Sequence, residues 1–283
     1  MHPILFQLGP FTLHAFGAMM ALGFLVALLA MRRLVRGGFG HLTDDHLSRL
    51  LVWLMAGGVL GARLAYVAEH WTGEFAANPG AIIRIDQGGL MFYGGVLGAV
   101  AAILLFARVY RRRPLDILDL CAAVLPLGHA FGRIGCFLNG CCHGIRCQGP
   151  GGVRFPAGSM PWREQVSRGL IDASAATSEP VVPTQLIESG ANLAVFAVLY
   201  AVARRHPRPG YVTALYLVLY AVVRFHTERL RGDARLQVGT LSISQILSLL
   251  LLAIGIGVLL VLWIRRRAGR PGASWRPPET HAD

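Results

Sequence analysis

Charged residues are scarce in this 283-residue sequence, and lysine is missing altogether. Only 15% of the positions are charged, 54% are hydrophobic, and the mean hydropathy is +0.52. A chain this apolar is excluded from the class of ordinary soluble domains and belongs in a lipid bilayer. All 27 basic residues are arginines, and no basic stripe with interleaved aromatic residues stands outside the apolar runs. We therefore expect no nucleic acid among its partners.

The sequence also lacks two features that would change the membrane assignment. Residues Met1 to Pro10 carry no basic n-region, and no small-residue cleavage site follows the first apolar run. We therefore expect that run to be retained as a span rather than removed as an export signal. No internal repeat is visible, which argues against a transporter built from paired halves.

Seven apolar segments reach the length of about 20 residues that a helix needs to cross a bilayer. We predict an all-α integral membrane protein with seven transmembrane helices in residues 1–264. Residues 138–184, rich in glycine, proline and serine, are predicted to form a small head, and residues 265–283 a disordered basic tail. The predicted spans are Phe11 to Ala30, Leu47 to Ala68, Gly89 to Ala107, Leu115 to Leu138, Gln185 to Ala203, Gly210 to Glu228 and Leu241 to Ile264.

The distribution of arginine predicts the orientation of the chain. Sixteen arginines lie in the segments that follow spans one, three, five and seven, and eight lie in the segments on the opposite side. Because cytoplasmic segments carry the excess of basic residues, the N-terminus is expected in the periplasm and the C-terminus in the cytoplasm. The prediction is a multi-pass protein of the cell inner (plasma) membrane with a periplasmic head.

Three arginines, Arg63, Arg133 and Arg224, lie well inside the predicted spans, whereas Arg49 lies at the start of span two and is counted with the segment before it. Each costs about 2.5 to 3.5 kcal/mol at the centre of a membrane on insertion scales, so each needs a partner or a function. One arginine near a helix end can reach the headgroups without any function. Here, however, the orientation places all three toward the outer leaflet with other polar residues, which predicts a site at that depth. The other polar residues are His14, Tyr93, Glu188, Gln245 and Glu228.

The predicted site suits an anion. Arginine presents a planar fork of donors that matches phosphate oxygens and stays charged when partly desolvated, so a pair of arginines can clamp a phospholipid headgroup. The same clamp would stabilise the charge that develops on a phosphate leaving group. These residues indicate chemistry on a lipid headgroup.

Seven motifs carry a resemblance to one family. The segment GHAFGRIGCFLNGCCHG, Gly128 to Gly144, resembles the signature region of prolipoprotein diacylglyceryl transferases. Six other segments are similar to the family's landmarks, in the family's order. They are LGPFTLHAFG at Leu8 to Gly17, GARLAYV at Gly61 to Val67, GGLMFYGGVLG at Gly88 to Gly98, PTQLIES at Pro183 to Ser189, VRFHTERLR at Val223 to Arg231 and LSISQILS at Leu241 to Ser248.

The resemblance implies an enzyme that moves the diacylglyceryl group of phosphatidylglycerol, a membrane lipid, onto the lipobox cysteine of a preprolipoprotein signal peptide, releasing glycerol phosphate. It implies that Arg133 and Arg224 bind the phosphate and that Glu188, Glu228 and Arg231 support them. We expect no cofactor and no metal. The predicted substrate-binding residues are Arg133, Arg224, Asn139, Gly140, Gly144, Arg63, Glu228, Arg231, Gln245 and His14.

Three positions depart from the family pattern, because Tyr93, Phe16 and Cys136 stand where the family has a histidine, a tyrosine and an asparagine. A thiol with a pKa of about 8.5 must lose its proton in this reaction, and a tyrosine with a pKa of about 10 is a poor base for it. We expect His129, on the helix face of Arg133, or else Glu188 to accept the proton. A hydrogen-bonded histidine between helices is the alternative for His129. The predicted catalytic residues are Arg133, Arg224, Glu188, His129 and Tyr93.

Four cysteines and a histidine are crowded into one short run of the predicted head and the span before it. Their spacing, C-x4-C-C-H-x3-C, lacks the paired C-x2-C of structural zinc sites. In an oxidising compartment, a disulfide to Cys147 or unpaired structural thiols are expected ahead of a metal site or a catalytic cysteine. The run consists of Cys136, Cys141, Cys142, His143 and Cys147.

Two alternatives to this function remain. A paralogue could keep the lipid site but use another acceptor or donor, as the changes at Phe16, Tyr93 and Cys136 would allow. A transporter or thiol sensor could use the cysteine run. Transport needs an aqueous path across the whole bilayer, however, and the polar residues stop at its outer half.

Overall fold

A computed structural model of the chain describes residues 4–8, 11–76, 78–84, 88–205, 207–232 and 237–268. Within these ranges the protein consists of seven long helices, one short α-helix, a few single helical turns and two small hairpins. The predicted all-helical architecture is therefore confirmed. The helices are α1 (Ala15–Arg36), α2 (Asp44–Glu69), α3 (Phe92–Val109), α4 (Pro114–Asn139), the short α5 (Met160–Ser167), α6 (Thr184–Ala203), α7 (Tyr211–Glu228) and α8 (Ile243–Arg267).

Two antiparallel hairpins precede α1 and α8. The first hairpin corrects the prediction for span one, because the helix begins at Ala15 and not at Phe11. His14 pairs with Ile4 across this hairpin and does not lie in a helical turn. A window of apolar residues cannot distinguish a short strand from the first turn of a helix. The strands are β1 (Ile4–Leu8), β2 (Phe11–His14), β3 (Gln237–Val238) and β4 (Leu241–Ser242).

Six of the long helices, α1, α2, α3, α4, α6 and α8, are long and apolar enough to cross a membrane. The chain is therefore a multi-pass membrane protein. Helix α7 is less apolar because its last turns carry Arg224, His226, Thr227 and Glu228, and its assignment as a seventh span stays a prediction. At the C-terminus α8 continues to Arg267, past the predicted start of the basic tail, whose residues 269–283 lie outside the described ranges.

The chain divides into two compact units, one of residues 29–121 and one of residues 1–28 and 122–283. In the first unit, α2 and α3 pack along a seam of glycines. A methyl group on Gly61 would overlap with the Gly94 carbonyl oxygen and with the backbone of Gly98, and one on Gly57 would overlap with Ala102 and Gly98. These positions must be glycine because the two helix backbones touch there.

Arg63 of α2 binds the backbone of the segment that joins α2 to α3. Its side chain is buried, and its three nitrogens donate to five backbone carbonyl oxygens over distances of 2.7 to 3.3 Å. Those five bonds match the five N–H donors of a guanidinium group. The observed contacts give Arg63 a structural role, and its predicted part in substrate binding gains no support from them. The acceptors belong to Ala81, Ile82, Arg84, Gly88 and Gly89.

In the other unit, the start of α1 lies against α4, and α6 lies against α4 as well. A methyl group on Gly135 would lie 3.1 Å from the Phe16 ring, and the hydroxyl of Ser189 donates to the carbonyl oxygen of Ala130 over 3.1 Å. Helices α7 and α8 pack closely at Gly255. The ends of α4, α6, α7 and α8 are thus held in one unit, which sets the position of their polar side chains.

Residues 140–183 connect α4 to α6 and contain α5, as expected for the predicted head. Phe155 is fully buried there, and its backbone N–H donates to the Ser178 hydroxyl over 2.9 Å. Val181 pairs with both Arg146 and Val153 in isolated bridges. The head is therefore folded around its own small apolar centre.

Replacing Gly61 with alanine tests the seam of α2 and α3. We expect the free energy of unfolding to fall by about 1 to 3 kcal/mol, since the new methyl group meets backbone atoms that cannot move aside. Gly58→Ala on the same helix is the matched control, because its methyl group would lie 3.9 Å from the nearest atom. Thermal unfolding in one detergent measures both variants, and equal midpoints would contradict the tight seam.

Candidate active site

Glu188 is the centre of a buried charge cluster. It lies in the second turn of α6, its side chain is 4% exposed, and its carboxylate contacts three arginines. The Oε2 atom lies 2.5 Å from Nε of Arg133 on α4, and Oε1 lies 3.4 Å from Nη1 of Arg224 on α7. Nη1 of Arg231, which follows α7, lies 3.9 Å from the same Oε1. One carboxylate thus links α4, α6 and the end of α7.

A second carboxylate, Glu228, extends the cluster to α8. It lies one helical turn after Arg224, and its Oε2 atom is 2.7 Å from Nη2 of that arginine. Its Oε1 atom accepts a hydrogen bond of 2.9 Å from the Ser242 hydroxyl. Arg224 also donates to the Ser244 hydroxyl over 3.2 Å. The start of α8 is therefore tied to α7 through Glu228 and Arg224.

Gln245 stabilises the start of α8 through its backbone and its side chain, which both contact Ser242. Its backbone N–H donates to the Ser242 hydroxyl over 3.2 Å, and its side-chain oxygen accepts from the Ser242 N–H over 3.0 Å. This reciprocal pair is a capping box, which satisfies two donors at a helix start. The predicted site residue Gln245 is thus in the cluster, where it orients the serine that holds Glu228.

The cluster carries an excess of positive charge. Arg133, Arg224 and Arg231 face two carboxylates, which leaves one positive charge uncompensated among these five groups. Arg133 and Arg224 retain 14% of their side-chain surface, whereas Arg231 retains 5%. A group with this charge and accessibility attracts an anion, and guanidinium forks are the donors that fit phosphate oxygens.

The loop after α4 fixes Arg231 through backbone contacts. Gly144 pairs with Arg231 in an antiparallel bridge, and the N–H of Ile145 donates to the Leu230 carbonyl oxygen over 2.9 Å. A methyl group on Gly144 would lie 2.6 Å from the Val182 carbonyl oxygen and 2.7 Å from that of Leu230. The predicted binding residue Gly144 is therefore a position of close backbone approach.

Two other predicted binding residues, Asn139 and Gly140, form the turn that leads from α4 into this loop. Asn139 is the last residue of α4, and Gly140 has a positive φ of 76° that favours glycine. The side chains of Thr184 and Gln185 then hold the loop by donating to the carbonyl oxygens of Cys142 and Cys141 over 2.9 and 2.7 Å. The start of α6 thereby fixes the loop next to Glu188.

The cysteine run separates into two parts. All five cysteines of the chain are free thiols in this structure, which therefore does not show the expected disulfide to Cys147. The sulfur atoms of Cys136, Cys141 and Cys142 all lie within 4.8 Å of one another. Hydrogen bonds from the Cys136 and Cys141 thiols, followed by the positive charges of Arg231 and Arg133, lower the pKa of the Cys142 thiol far below its usual range.

The rest of the run lies outside this trio. The Cys147 thiol donates to the Gly149 carbonyl oxygen over 3.8 Å. His143 is buried, and its Nε2 atom lies 3.0 Å from the carboxylate of Glu164 on α5. His143 therefore anchors α5 to the loop.

Besides Arg63, three predicted site residues have no described contact with the charge cluster. His129 lies one turn before Arg133 on α4, where its ring packs 5.8 Å from the Tyr220 ring. His14 is exposed in the first hairpin. Tyr93 belongs to the unit of residues 29–121, where its side chain is 61% exposed and contacts Phe92. The catalytic roles of His129 and Tyr93 stay predictions.

The sequence interpretation did not single out Ser242 and Ser244. Serine is a common residue and neither position draws notice by itself, but the spacing S-x-x-Q from Ser242 to Gln245 is the signal of a capping box. Placed at a helix start, it predicts that the Ser242 hydroxyl is held by the first turn of the helix. The contact of that hydroxyl with Glu228 is visible only in the structure.

The fold and this cluster define a class of protein, a polytopic membrane protein with a buried cluster of arginines and carboxylates among its helices. The model of the family described as prolipoprotein diacylglyceryl transferase matches residues 3–261. The chain belongs to this family, which confirms the resemblance seen in its motifs.

Relatives along nearly the whole chain carry one name, phosphatidylglycerol--prolipoprotein diacylglyceryl transferase. The protein of that name from Stenotrophomonas maltophilia is 36% identical over 270 residues, which cover 92% of this chain and 91% of the relative. The one from Cupriavidus necator is 34% identical over 281 residues, 96% of each chain. The one from Legionella pneumophila is 33% identical over 271 residues, 94% of this chain and 97% of the relative.

Replacing Glu188 with glutamine tests whether one carboxylate holds the cluster together. The change removes a negative charge from among three arginines, and we expect a loss of about 3 to 5 kcal/mol in stability, as for other buried pairs left with one partner. Glu179→Gln is the matched control, since Glu179 is exposed in the head. Thermal unfolding of both variants measures the difference, and a Glu188→Gln protein as stable as the control would refute the bridging role.

Proposed function

We propose that this chain transfers the diacylglyceryl group of phosphatidylglycerol to the lipobox cysteine of a preprolipoprotein. The observation that carries the proposal is the buried carboxylate of Glu188, which holds Arg133, Arg224 and Arg231 together with an excess of positive charge. The chain covers almost the whole length of its relatives, and the names of these relatives support the proposal. They do not favour the alternatives of a transporter, a thiol sensor or a paralogue with different chemistry.

Arg133 and Arg224 are the residues that we assign to the lipid phosphate. Arg133 uses Nε for Glu188, so the fork of its two Nη groups is the part that suits a phosphate. Arg224 is held from two sides by Glu188 and Glu228, which fixes its plane before the lipid binds. Arg231, the least exposed of the three, supports the cluster. A clamp fixed in this way lowers the entropy lost on binding.

The proposed reaction is a substitution at C3 of the glyceryl group. The acceptor sulfur donates an electron pair to C3, the bond from C3 to the phosphate oxygen breaks, and that oxygen keeps its electrons. The phosphate changes from a diester with one negative charge to a monoester with two. Arginines already in place for the first charge stabilise the second without reorganising, which is how such sites lower a barrier.

The proton of the acceptor thiol needs a destination. Tyr93 is a poor base, and both oxygens of Glu188 are engaged by guanidinium groups. His129 lies on α4 one turn from Arg133, with Arg133 and Arg224 among its charged neighbours. His129 and Glu188 both stay predictions for this role.

We also propose seven spans, with the N-terminus outside and the C-terminus in the cytoplasm of the inner membrane. Helix α7 has 18 residues, as many as the span candidate α3, and its polar last turns are stabilised by Glu188, Ser244 and the Arg224–Glu228 pair. With seven spans, the excess of arginine falls on the cytoplasmic side. The cluster and the head of residues 140–183 then lie at the outer leaflet.

Removing Arg133 or Arg224 tests the phosphate assignment. We expect Arg133→Ala and Arg224→Ala each to lower the transfer rate by about 100-fold or more, the effect of removing a donor that stabilises a developing oxyanion. Arg168→Ala is the matched control, since Arg168 forms an exposed pair with Glu164 in the head.

The assay uses purified protein, phosphatidylglycerol and a lipobox peptide, with the diacylglyceryl adduct detected by mass. Full activity of either cluster variant would remove that residue from the assignment. An inactive parent protein that still binds phosphatidylglycerol would favour the paralogue with another acceptor.

Reporter fusions test the orientation. An alkaline phosphatase fused within residues 146–154 is expected to be active, because the enzyme folds only outside the cytoplasm, while a fusion after Arg267 is expected to be inactive. The reverse pattern would overturn the orientation, and equal activity at both positions would remove α7 as a span.

A further inference from the structure

The trio of Cys136, Cys141 and Cys142 is the densest group of nucleophilic side chains that the proposed reaction does not use. Cys136 lies in the last turn of α4, and the backbone N–H of Cys141 donates to its carbonyl oxygen over 3.1 Å. All three sulfur atoms lie within 4.8 Å of one another.

The backbone adopts an unfavourable conformation that brings these sulfurs together. Side chains of consecutive residues point to opposite sides in extended backbone, so Cys141 and Cys142 would not normally face the same partner. Here Cys142 has a positive φ of 59°, which is uncommon for a residue other than glycine. A residue held in this conformation needs support from its surroundings, which makes a function for it a reasonable hypothesis.

We propose that Cys136, Cys141 and Cys142 bind one zinc ion as thiolates, and that the fourth position of this ion takes the thiol of the acceptor peptide. Three protein ligands and an open position are the arrangement of a catalytic zinc site, whereas structural sites are closed by a fourth protein ligand. The sequence led us to expect no metal, and the close approach of the three sulfur atoms is the reason for proposing one. This proposal rests on the transfer reaction proposed above.

The geometry favours a metal over a disulfide. A disulfide joins two sulfurs at about 2.05 Å and leaves a third thiol without a function. A tetrahedral zinc ion with bonds of about 2.3 Å holds its sulfurs about 3.8 Å apart, which the spacing of this trio allows with small side-chain movements. Here each sulfur is close to both of the others, as a metal requires.

A fourth protein ligand is not at hand among the residues that the structure describes. Only the three cysteines form a metal-ligating group there. Cys147 donates to Gly149, and His143 is engaged by Glu164 and by the Gly144 carbonyl oxygen. The two possible ligands nearest in sequence, Cys147 and His143, thus have other partners, and the fourth position on the zinc ion is left for an external ligand.

The charges of the neighbouring arginines fit this assignment. Three thiolates and a zinc ion together carry one negative charge. Arg231 and Arg133 are close enough for their positive charges to act on Cys142, so arginines of the cluster would offset part of the negative charge of the loaded site. The same proximity places a zinc-bound acceptor thiol next to the bound lipid headgroup.

The proposed site supplies the activation of the acceptor thiol and would replace His129 and Glu188 in that role. The acceptor thiol displaces a hydroxide from the zinc ion and transfers its proton to that hydroxide, which leaves as water. The sulfur then bonds to C3 of the glyceryl group, and the electron pair of the C3–O bond goes to the phosphate oxygen. No group is oxidised or reduced. Metal coordination is a general way to hold a thiol as the thiolate at neutral pH.

Metal content and coordination of the full-length protein in detergent test the site directly. We expect one zinc per chain, with three sulfur ligands in its X-ray absorption spectrum and a fourth on adding a lipobox peptide. Cys142→Ser should lose the metal, whereas the matched control Cys147→Ser should keep it. Thermal unfolding and phosphatidylglycerol binding show whether each variant is folded.

Three results would overturn the proposal: folded parent protein without zinc after expression with zinc, a disulfide within the trio, or binding of copper alone. A spectrum that keeps three sulfurs with the peptide bound would refute the role of the fourth position.

Transfer activity separates this proposal from the proposed function. Chelation should lower the transfer rate by about 100-fold, in the range that thiol deprotonation contributes, and zinc should restore it. Undiminished transfer by the metal-free protein would refute the zinc mechanism while the transferase function stands. Zinc bound with three sulfurs but no transfer under any condition would refute the proposed reaction and leave the metal site.

Discussion

The contact between the Glu188 carboxylate and three guanidinium groups is the constraint on which the rest of this unit depends. Arginine side chains repel one another, and each is costly in the apolar part of a membrane protein. One buried carboxylate among them offsets part of this energetic cost and of their mutual repulsion, so the three side chains stay close together. Helices α4, α6 and α7 must therefore meet where Glu188 lies, and Glu228 and Ser242 add α8 to the same point.

The cluster is stabilised without being neutralised, and this combination is what a lipid enzyme needs. A third negative charge would complete the balance of these groups, and a phosphate brings that charge with oxygens that match the arginine forks. The loop from Gly140 to Gly144 supports the arrangement, because its backbone fixes Arg231 and carries two of the three clustered thiols, those of Cys141 and Cys142. The charge cluster and the thiols are therefore parts of one local structure.

Much of this arrangement was predictable because hydrophobicity and charge act over whole helices. The apolar windows located the long helices, and the depth of Arg133, Arg224, Glu188 and Glu228 predicted that they meet. Other features depend on backbone geometry that side-chain patterns do not encode. The carbonyl oxygens around Arg63, the strand ending at His14 and the left-handed backbone at Cys142 arise from pairing between segments distant in sequence or from one dihedral angle.

The binding of phosphatidylglycerol to the arginine cluster is the central claim of this account. Native mass spectrometry of the intact protein, released from membranes that contain phosphatidylglycerol and phosphatidylethanolamine, measures it most directly. The account predicts one tightly retained phosphatidylglycerol on the parent protein and on Arg168→Ala, and its loss from a folded Arg224→Ala variant. Retention of the lipid by Arg224→Ala, or equal retention of both lipids by the parent, would contradict it.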